Sequence, residues 1–467
     1  MTTALTSTPE AYQNIVIIGA SIAGHETANH LVPNLPGTYR ILLIDARGFA
    51  WWPITILRAV VVPAGWEDKV SIPLTTERVF KKGSPHQVIA PNKVLQLKAD
   101  SVILEKPFEG STEIPFFRCV IATGASQELP TMPAWDDSED QFVESLRRSQ
   151  RDIERATKVV VIGGGAVGVE IAGEIASHHP NKKMTLIHKD YGLLQPTVPL
   201  AKSEPLKTIS EKVIHSYSSP PTDPRLSLEL QRICDELGIE VILSDRVIMP
   251  SSSPTTPISE LSESQSELAS ELGSTSASAL QKGKVAWDGS FGLQPQIVHL
   301  TLESGKTVEA DYVYPGCGMR PNSQIVKNVD PGALDGGLIR VDKHLKVQST
   351  SPDSIFASQV YAIGDVCSCP GLKIAHGALW GAQKTATNIM NEIKGKVLSE
   401  YSLGWLSGLS LPMGMNEGAG MITFGWLGTW VFGSKWTVRM RGKTSGTERH
   451  FVGRFKGEQE FEIKFDF

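Results

Sequence analysis

The chain has 467 residues, 41% hydrophobic and 20% charged, an ordinary globular composition that excludes a wholly disordered, fibrous or polytopic membrane protein. A formal charge of −5 supplies no field that would draw in a polyanion, so nucleic acid is not expected as a partner. Five cysteines, Cys119, Cys234, Cys317, Cys367 and Cys369, are too few and too scattered for a disulfide framework, and no pair has the CxxC spacing of the usual reductase dithiol.

Residues 1–13 carry neither a basic n-region followed by an apolar run nor an Arg-rich transit pattern, and Thr2 is incompatible with N-myristoylation. No stretch reaches the roughly 18 uninterrupted apolar residues of a membrane-spanning helix. The expectation is a cytoplasmic protein, soluble or peripheral on a membrane surface.

The first apolar run, at 15–18, ends in Gly19-Ala-Ser21-Ile-Ala-Gly24 and leads into a small-residue helix to about residue 31. A second run at 40–44 ends in Asp45. Strand, glycine turn, helix and strand with an acid about 20 residues beyond is the pattern of a dinucleotide-binding βαβ unit. Gly19 permits the tight turn, and Gly24 lets helix approach strand. The helix N-terminus faces a pyrophosphate, and Asp45 can accept hydrogen bonds from a ribose diol. The middle glycine of the motif is here Ser21, which narrows the gap but adds a donor.

The same grammar returns at 159–162, followed by Gly163-Gly-Gly165-Ala-Val-Gly168, a helix to about 177, and a strand at 184–187. One such motif is weak evidence; two copies in the same strand-helix context point to two nucleotide sites. The second copy ends in His188 and Lys189 where the first has Asp45. With no acid to select a 2′-hydroxyl and a cation alongside, NADPH is admitted as well as NADH.

Residues 251–280 contain eleven serines and few apolar side chains. They read as a disordered insert, at about 247–290, between a strand at 240–243 and one resuming near 298. A tolerated spacer and a regulatory phosphorylated loop are both open readings. Two further strands follow the scheme: one at 120–121 running into Ala-Thr123-Gly124, and one at 360–363 delivering Gly364-Asp365.

The set of two glycine turns, Ala-Thr-Gly and Gly-Asp resembles the flavoproteins with two dinucleotide-binding domains. Within them it is similar to the apoptosis-inducing-factor-like, ferroptosis-suppressor-protein-like NAD(P)H:quinone oxidoreductases. The likeness is carried by Leu57-Arg58-Ala59, residues 168–175 (GVEIAGEI), Leu186-Ile-His188, residues 361–365 and the late Met413-Gly-Met-Asn-Glu-Gly418. The resemblance implies an α/β fold of two Rossmann-like domains, for FAD and NAD(P)H, plus a smaller C-terminal α+β region. It implies divisions at 1–130 (FAD, first part), 131–335 (NAD(P)H), 336–400 (FAD, second part) and 401–467. By the same resemblance Arg58 and Val88 contact FAD, Asp365 contacts its ribityl and phosphate, and Glu170 and Lys373 lie near the nicotinamide and flavin rings as catalytic residues.

Departures from the group are Trp51-Trp52 ahead of Leu-Arg-Ala, where relatives have histidines, and the absence of a lysine near Trp135. Trp51-Trp52 reads as core in preference to a flavin neighbour. From the residues themselves, Glu170 sits in the first turn of its helix, where a carboxylate complements the dipole or reaches a carboxamide. Lys373, at a helix start, is electrostatically unfavourable there and therefore informative. Cys367 and Cys369 read as unpaired thiols, and no metal spacing is present.

The last region has aromatics at 424–432 followed by Lys435, Trp436, Arg439, Arg441 and Lys443. Rings followed by cations suit either peripheral membrane contact through 424–443 or a homodimer surface. The reading is an FAD-dependent oxidoreductase that takes a hydride from NAD(P)H and passes electrons to a small acceptor such as a quinone. A biosynthetic oxidoreductase acting on a secondary metabolite and a redox-signalling flavoprotein that binds a partner are the alternatives.

Overall fold

The computed structural model describes residues 12–63, 65–128, 130–194, 222–250, 285–316, 318–356, 359–402, 406–442, 451–455 and 457. The serine-rich stretch 251–280, Lys443 and Cys317 lie outside them.

Two parallel sheets organise the chain. The first has the strand order Val360–Ala362, Arg118–Ile121, Gln13–Ile18, Tyr39–Ile44, Gln87–Ile89, all parallel. Helices cover a parallel sheet on both faces, so its strands are apolar throughout rather than alternating. Ile15, Val16, Ile17, Ile41, Leu42 and Leu43 accordingly have no exposure. Helices Ile22–Leu31 and Ala375–Ile393 pack against each other on this unit. An antiparallel sheet of Val94–Leu97, Ser101–Phe108 and Ser111–Pro115 is inserted before Arg118–Ile121.

The second sheet has the order Ile239–Ile242, Lys183–Ile187, Lys158–Ile162, Thr307–Pro315, Gly292–Thr301, Val285–Ala286. Its first four strands are parallel, and Gly292–Thr301 is antiparallel to Thr307–Pro315. Helix Ala166–His178 follows the glycine turn, and helix Pro224–Glu236 precedes the edge strand. These are the two Rossmann-like units, and chain from both sides of the second unit contributes strands to the first.

A third sheet, Leu406–Pro412, Gly418–Phe424 and Gly428–Phe432, is antiparallel and rests on helices Ala166–His178 and Pro224–Glu236. The contact is close because Gly173 has no side chain: a Cβ there would lie 2.4 Å from the Cβ of Met413. Residues 451–455 then return to the first unit. Asn29 donates to the carbonyl of Arg454 at 3.0 Å, and Phe451 stacks on Trp52 at 5.5 Å between ring centroids. Trp52 is 2% exposed and belongs to the core, whereas its neighbour Trp51 is only partly buried.

Candidate functional site

Gly19 adopts φ +103°, and its N–H donates to Ile44 O at 2.8 Å. A Cβ on Gly24 would stand 1.8 Å from Gly19 O, so only glycine lets the helix sit this close to the turn. Ser21 is the N-cap of helix Ile22–Leu31 but makes no side-chain cap, and the first turn has no acid. The first-turn amides thus have no side-chain cap and could seat an anion. Asp45 binds the turn from behind: Oδ2 accepts from Ala20 N at 2.7 Å and Oδ1 from Arg47 N at 2.9 Å. Burial raises its pKa and these two bonds oppose the rise. Each carboxylate oxygen can accept again, so capping the turn and receiving a ribose diol are compatible.

Arg47 was not foreseen. It is 5% exposed, donates to Pro133 O and Ala134 O at 3.2 and 3.3 Å, and stacks over Trp135 at 4.4 Å and Trp51 at 5.0 Å. A cation from just beyond the second strand therefore stands beside Trp135. Val88 lies in Gln87–Ile89 beside Leu43, and its N–H donates to Thr76 Oγ1 at 3.0 Å.

Thr123 and Gly124, the latter at φ +66°, stand where the chain leaves the first unit. Ala125–Ser126 pairs antiparallel with Arg320–Pro321, the returning segment. Asn322 ties the two crossings together: Thr123 Oγ1 donates to Asn322 O at 2.7 Å, and Asn322 Nδ2 donates to Thr123 O at 2.9 Å. Gly364, at φ +75°, closes against Ala23 of the first helix, where a Cβ would lie 3.4 Å from that side chain. This contact brings the Gly-Asp turn to the first glycine turn. Asp365 is pushed up by burial, and Lys373 opposes the rise. Lys373 Nζ donates to Cys367 O at 2.6 Å and Cys369 O at 2.9 Å.

In the second turn Gly163 adopts φ +114°, and a Cβ on Gly168 would again lie 1.8 Å from the facing carbonyl, Gly163 O. Gly165 is the N-cap of helix Ala166–His178, and a Cβ on it would meet nothing within 4 Å. His188 Nδ1 accepts from Gly164 N at 3.0 Å. That bond fixes Nδ1 as the unprotonated nitrogen, and burial lowers the ring's pKa. Asp190 Oδ2 lies 3.5 Å from His188 Nε2, and Lys189 Nζ lies 3.5 Å from Asp190 Oδ1. The imidazole is thus a neutral brace for the turn. Asp190 is a carboxylate two residues beyond the position that the sequence reading weighed.

Arg58 is held by groups of the protein itself. It is 1% exposed, its Nη2 is 2.7 Å from Glu174 Oε1 on the second unit's helix, and it donates to Gly414 O at 3.1 Å. One guanidinium therefore joins the first unit, the second unit and the Met413-Gly418 turn. One helical turn earlier, Glu170 is largely enclosed and has Arg441 Nη1 at 3.9 Å. Burial raises the Glu170 pKa to about 7, with Arg441 opposing, Glu174 adding and Arg58 opposing. The sequence motif contained both glutamates, but only the fold reveals that one is paired and the other is poised near neutrality.

These features fit two dinucleotides. Uncapped amides at the starts of both long helices, with Gly165 facing open space, would hold the two pyrophosphates. Asp45 with Arg47 would hold the FAD adenosine, and Gly364-Asp365 would lie along the flavin's chain. Among the described residues no cluster of His, Cys, Asp or Glu could hold a metal ion.

The class defined by this fold and site is the two-domain, FAD- and NAD(P)H-dependent oxidoreductase. Residues 13–248 match the family model described as pyridine nucleotide-disulphide oxidoreductase, and the chain belongs to that family. It is 26% identical over 414 residues to ferroptosis suppressor protein 1 of Homo sapiens, covering 88% of each chain. It is 29% identical over 377 residues to oxidoreductase phnG of Penicillium herquei, covering 77% of this chain and 76% of that one. Among solved structures, the sulfide:quinone oxidoreductase of Aquifex aeolicus shares the fold with a TM-score of 0.60 at 13% identity, over 94% of this chain and 92% of that one.

Proposed function

We propose that this oxidoreductase passes electrons from NAD(P)H through FAD to a quinone-like acceptor at a membrane surface. Its divisions would be residues 1–130 and 336–400 for FAD, 131–335 for NAD(P)H and 401–467 for surface contact. The observation that carries the surface reading is the turn between Gly418–Phe424 and Gly428–Phe432. There Trp426 is 91% and Leu427 66% exposed, side by side at the tip of a hairpin. Two large apolar side chains held in water at a tip are costly unless they meet another phase. Trp430 and Trp436 extend the patch, with ring centroids 5.4 Å apart. Residues 418–447 contain Lys435, Arg439, Arg441 and Lys443 and no acid, which suits anionic headgroups. Among the described residues no helix is long and apolar enough to cross a membrane, so the contact would be peripheral.

Bound FAD supplies the hydride-accepting chemistry. The protein's part is to seat both dinucleotides, to hold Lys373 beside the Gly-Asp turn and to keep Glu170 near its titration point by the nicotinamide seat. Likeness to ferroptosis suppressor protein 1 and the fold shared with a sulfide:quinone oxidoreductase support the acceptor class. The reading predicts that the protein sediments with anionic vesicles at low salt and is released as salt rises. Trp426→Ser with Leu427→Ser should abolish sedimentation and lower activity on a long-tailed quinone more than on a soluble one. Equal loss on both quinones, or no vesicle binding by the unaltered protein, would refute it. Conversion of a dimer to a monomer by the same change would assign the tip to a homodimer interface instead.

A further inference from the structure

The Gly364-Asp365 turn runs directly into Cys367-Ser368-Cys369, a segment that the oxidoreductase reading leaves without a role. Its backbone is pinned: Ser368 N donates to Ile339 O at 2.8 Å, Val341 N donates to Ser368 Oγ at 3.2 Å, and Cys367 bridges Ile339. Cys367 has extended backbone, and in an extended segment alternate side chains share a face. With Ser368 turned toward Val341, the two cysteines fall on the other side, where their thiols interact with each other. Lys373 Nζ lies 3.4 Å from Cys369 Sγ in addition to its bonds to both cysteine carbonyls. All three of these acceptors belong to the CxC.

The two sulfurs are not equivalent. Cys367 is fully buried, with its Sγ 3.4 Å from Gly364 O, whereas Cys369 retains 9% exposure beside the exposed Pro370. The hydrogen bond from Cys367 and the neighbouring Lys373 hold the Cys369 thiol below its usual range, as an attacking thiolate requires.

We propose that Cys367 and Cys369 form an oxidation site for hydroperoxides, with Cys369 as the attacking sulfur, Cys367 as the resolving sulfur and Lys373 as the group that positions and activates Cys369. The Cys369 thiolate attacks the terminal oxygen of ROOH and the O–O bond breaks. The departing alkoxide takes a proton from Lys373, which regains one from solvent, leaving ROH and a sulfenic acid on Cys369. The Cys367 sulfur then attacks that of Cys369, its proton leaves with the hydroxyl as water, and a disulfide remains. Two thiol sulfurs are oxidised by two electrons in all, and the peroxide oxygens are reduced to ROH and water. Alternate residues of an extended strand stand about 6.6 Å apart, near the upper limit for a disulfide, so closure must pull the loop and with it the carbonyls that hold Lys373. A bond formed under such constraint is readily reduced again.

The test uses the holoprotein, substoichiometric hydrogen peroxide and peptide mapping with a sulfenic-acid trap, and needs no catalytic assay. Cys119 and Cys234 are internal controls, since both are buried and burial raises both thiols, Cys234 to about 12. The expected product is a Cys367–Cys369 disulfide formed at least about tenfold faster than either control is oxidised. Cys367→Ser should stop at a trappable sulfenic acid on Cys369, Cys369→Ser should leave Cys367 reduced, and Lys373→Met should slow the reaction. Oxidation of Cys369 no faster than Cys119 in the unaltered protein would overturn the proposal without recourse to any variant. So would an undiminished rate at Cys367 in Cys369→Ser.

Discussion

The two glycine-turn units are built on one backbone plan and differ in what braces it. In each, a positive-φ glycine follows the first strand, and a second glycine lies where a Cβ would come within 1.8 Å of a carbonyl. In each, the residue just after the second strand accepts an N–H from the turn: Asp45 from Ala20 in the first, His188 from Gly164 in the second. The brace is a carboxylate in one and a neutral imidazole in the other. Two residues beyond the closing glycine both helices carry glutamate. Glu26 has Arg454 at 3.4 Å and His30 at 3.1 Å, while Glu170 has Arg441 no closer than 3.9 Å. The repeated geometry is what a pair of dinucleotides would require; the departures from repetition place different charges around the two turns.

The largest effect should come from cutting the link between the units. Arg58→Met leaves Glu174 buried without its partner and is expected to cost about 3–5 kcal/mol. The measurement is thermal unfolding followed by flavin fluorescence, and pairing it with Glu174→Leu should recover much of the loss. A single variant as stable as the parent would mean that the two units are held together elsewhere.

Next is Glu170, whose carboxyl has a higher pKa folded than unfolded. The folded state then holds its proton more tightly, so stability is greatest below the unfolded value of 4.5 and declines as pH rises toward about 7. Glu170→Gln should flatten that decline and, at pH 8 without nucleotide, stabilise by up to about 3 kcal/mol. The matched change Glu26→Gln removes ion pairs and should give no gain. Parallel melting curves from pH 4 to 8 for Glu170→Gln and the parent would contradict the burial argument.

Much of this plan was legible in the chain itself. Both glycine turns, their strands and helices, and the Gly364-Asp365 turn stand within a residue or two of where apolar runs and glycines placed them, because each depends on neighbours close in sequence. The helix that Lys373 precedes runs from Ala375 to Ile393. What could not be read were pairings set by topology. Arg58 meets Glu174 across 116 positions, and Thr123 meets Asn322 across 199. Arg47 reaches Trp135 because the second strand ends beside the crossing segment. The sequence shows His188 only as a position without an acid and with Lys189 alongside, but side-chain direction is set by the turn it braces, and composition carries no sign of that. The nearest available clue was the symmetry with Asp45, which marks the position as a turn brace in both copies.

That symmetry leads to the smallest and most discriminating change. If the second-strand residue first braces the turn and then sets nucleotide preference, the two roles separate. His188→Asp copies the first unit: a carboxylate can still accept from Gly164 N, while its charge repels a 2′-phosphate and favours a 2′-hydroxyl. His188→Ala leaves the Gly164 N–H without its acceptor and adds no charge. The aspartate variant should remain folded despite the added charge beside Asp190 and shift the ratio of kcat/KM for NADH over NADPH upward by about tenfold, or about 1.4 kcal/mol. The alanine variant should lose about 1 kcal/mol of stability with little change in that ratio. Should the aspartate variant melt like the parent and leave the ratio unmoved, the residue is a brace alone. Nucleotide choice would then belong to Lys189 and Asp190, whose charges lie 3.5 Å apart on the same loop.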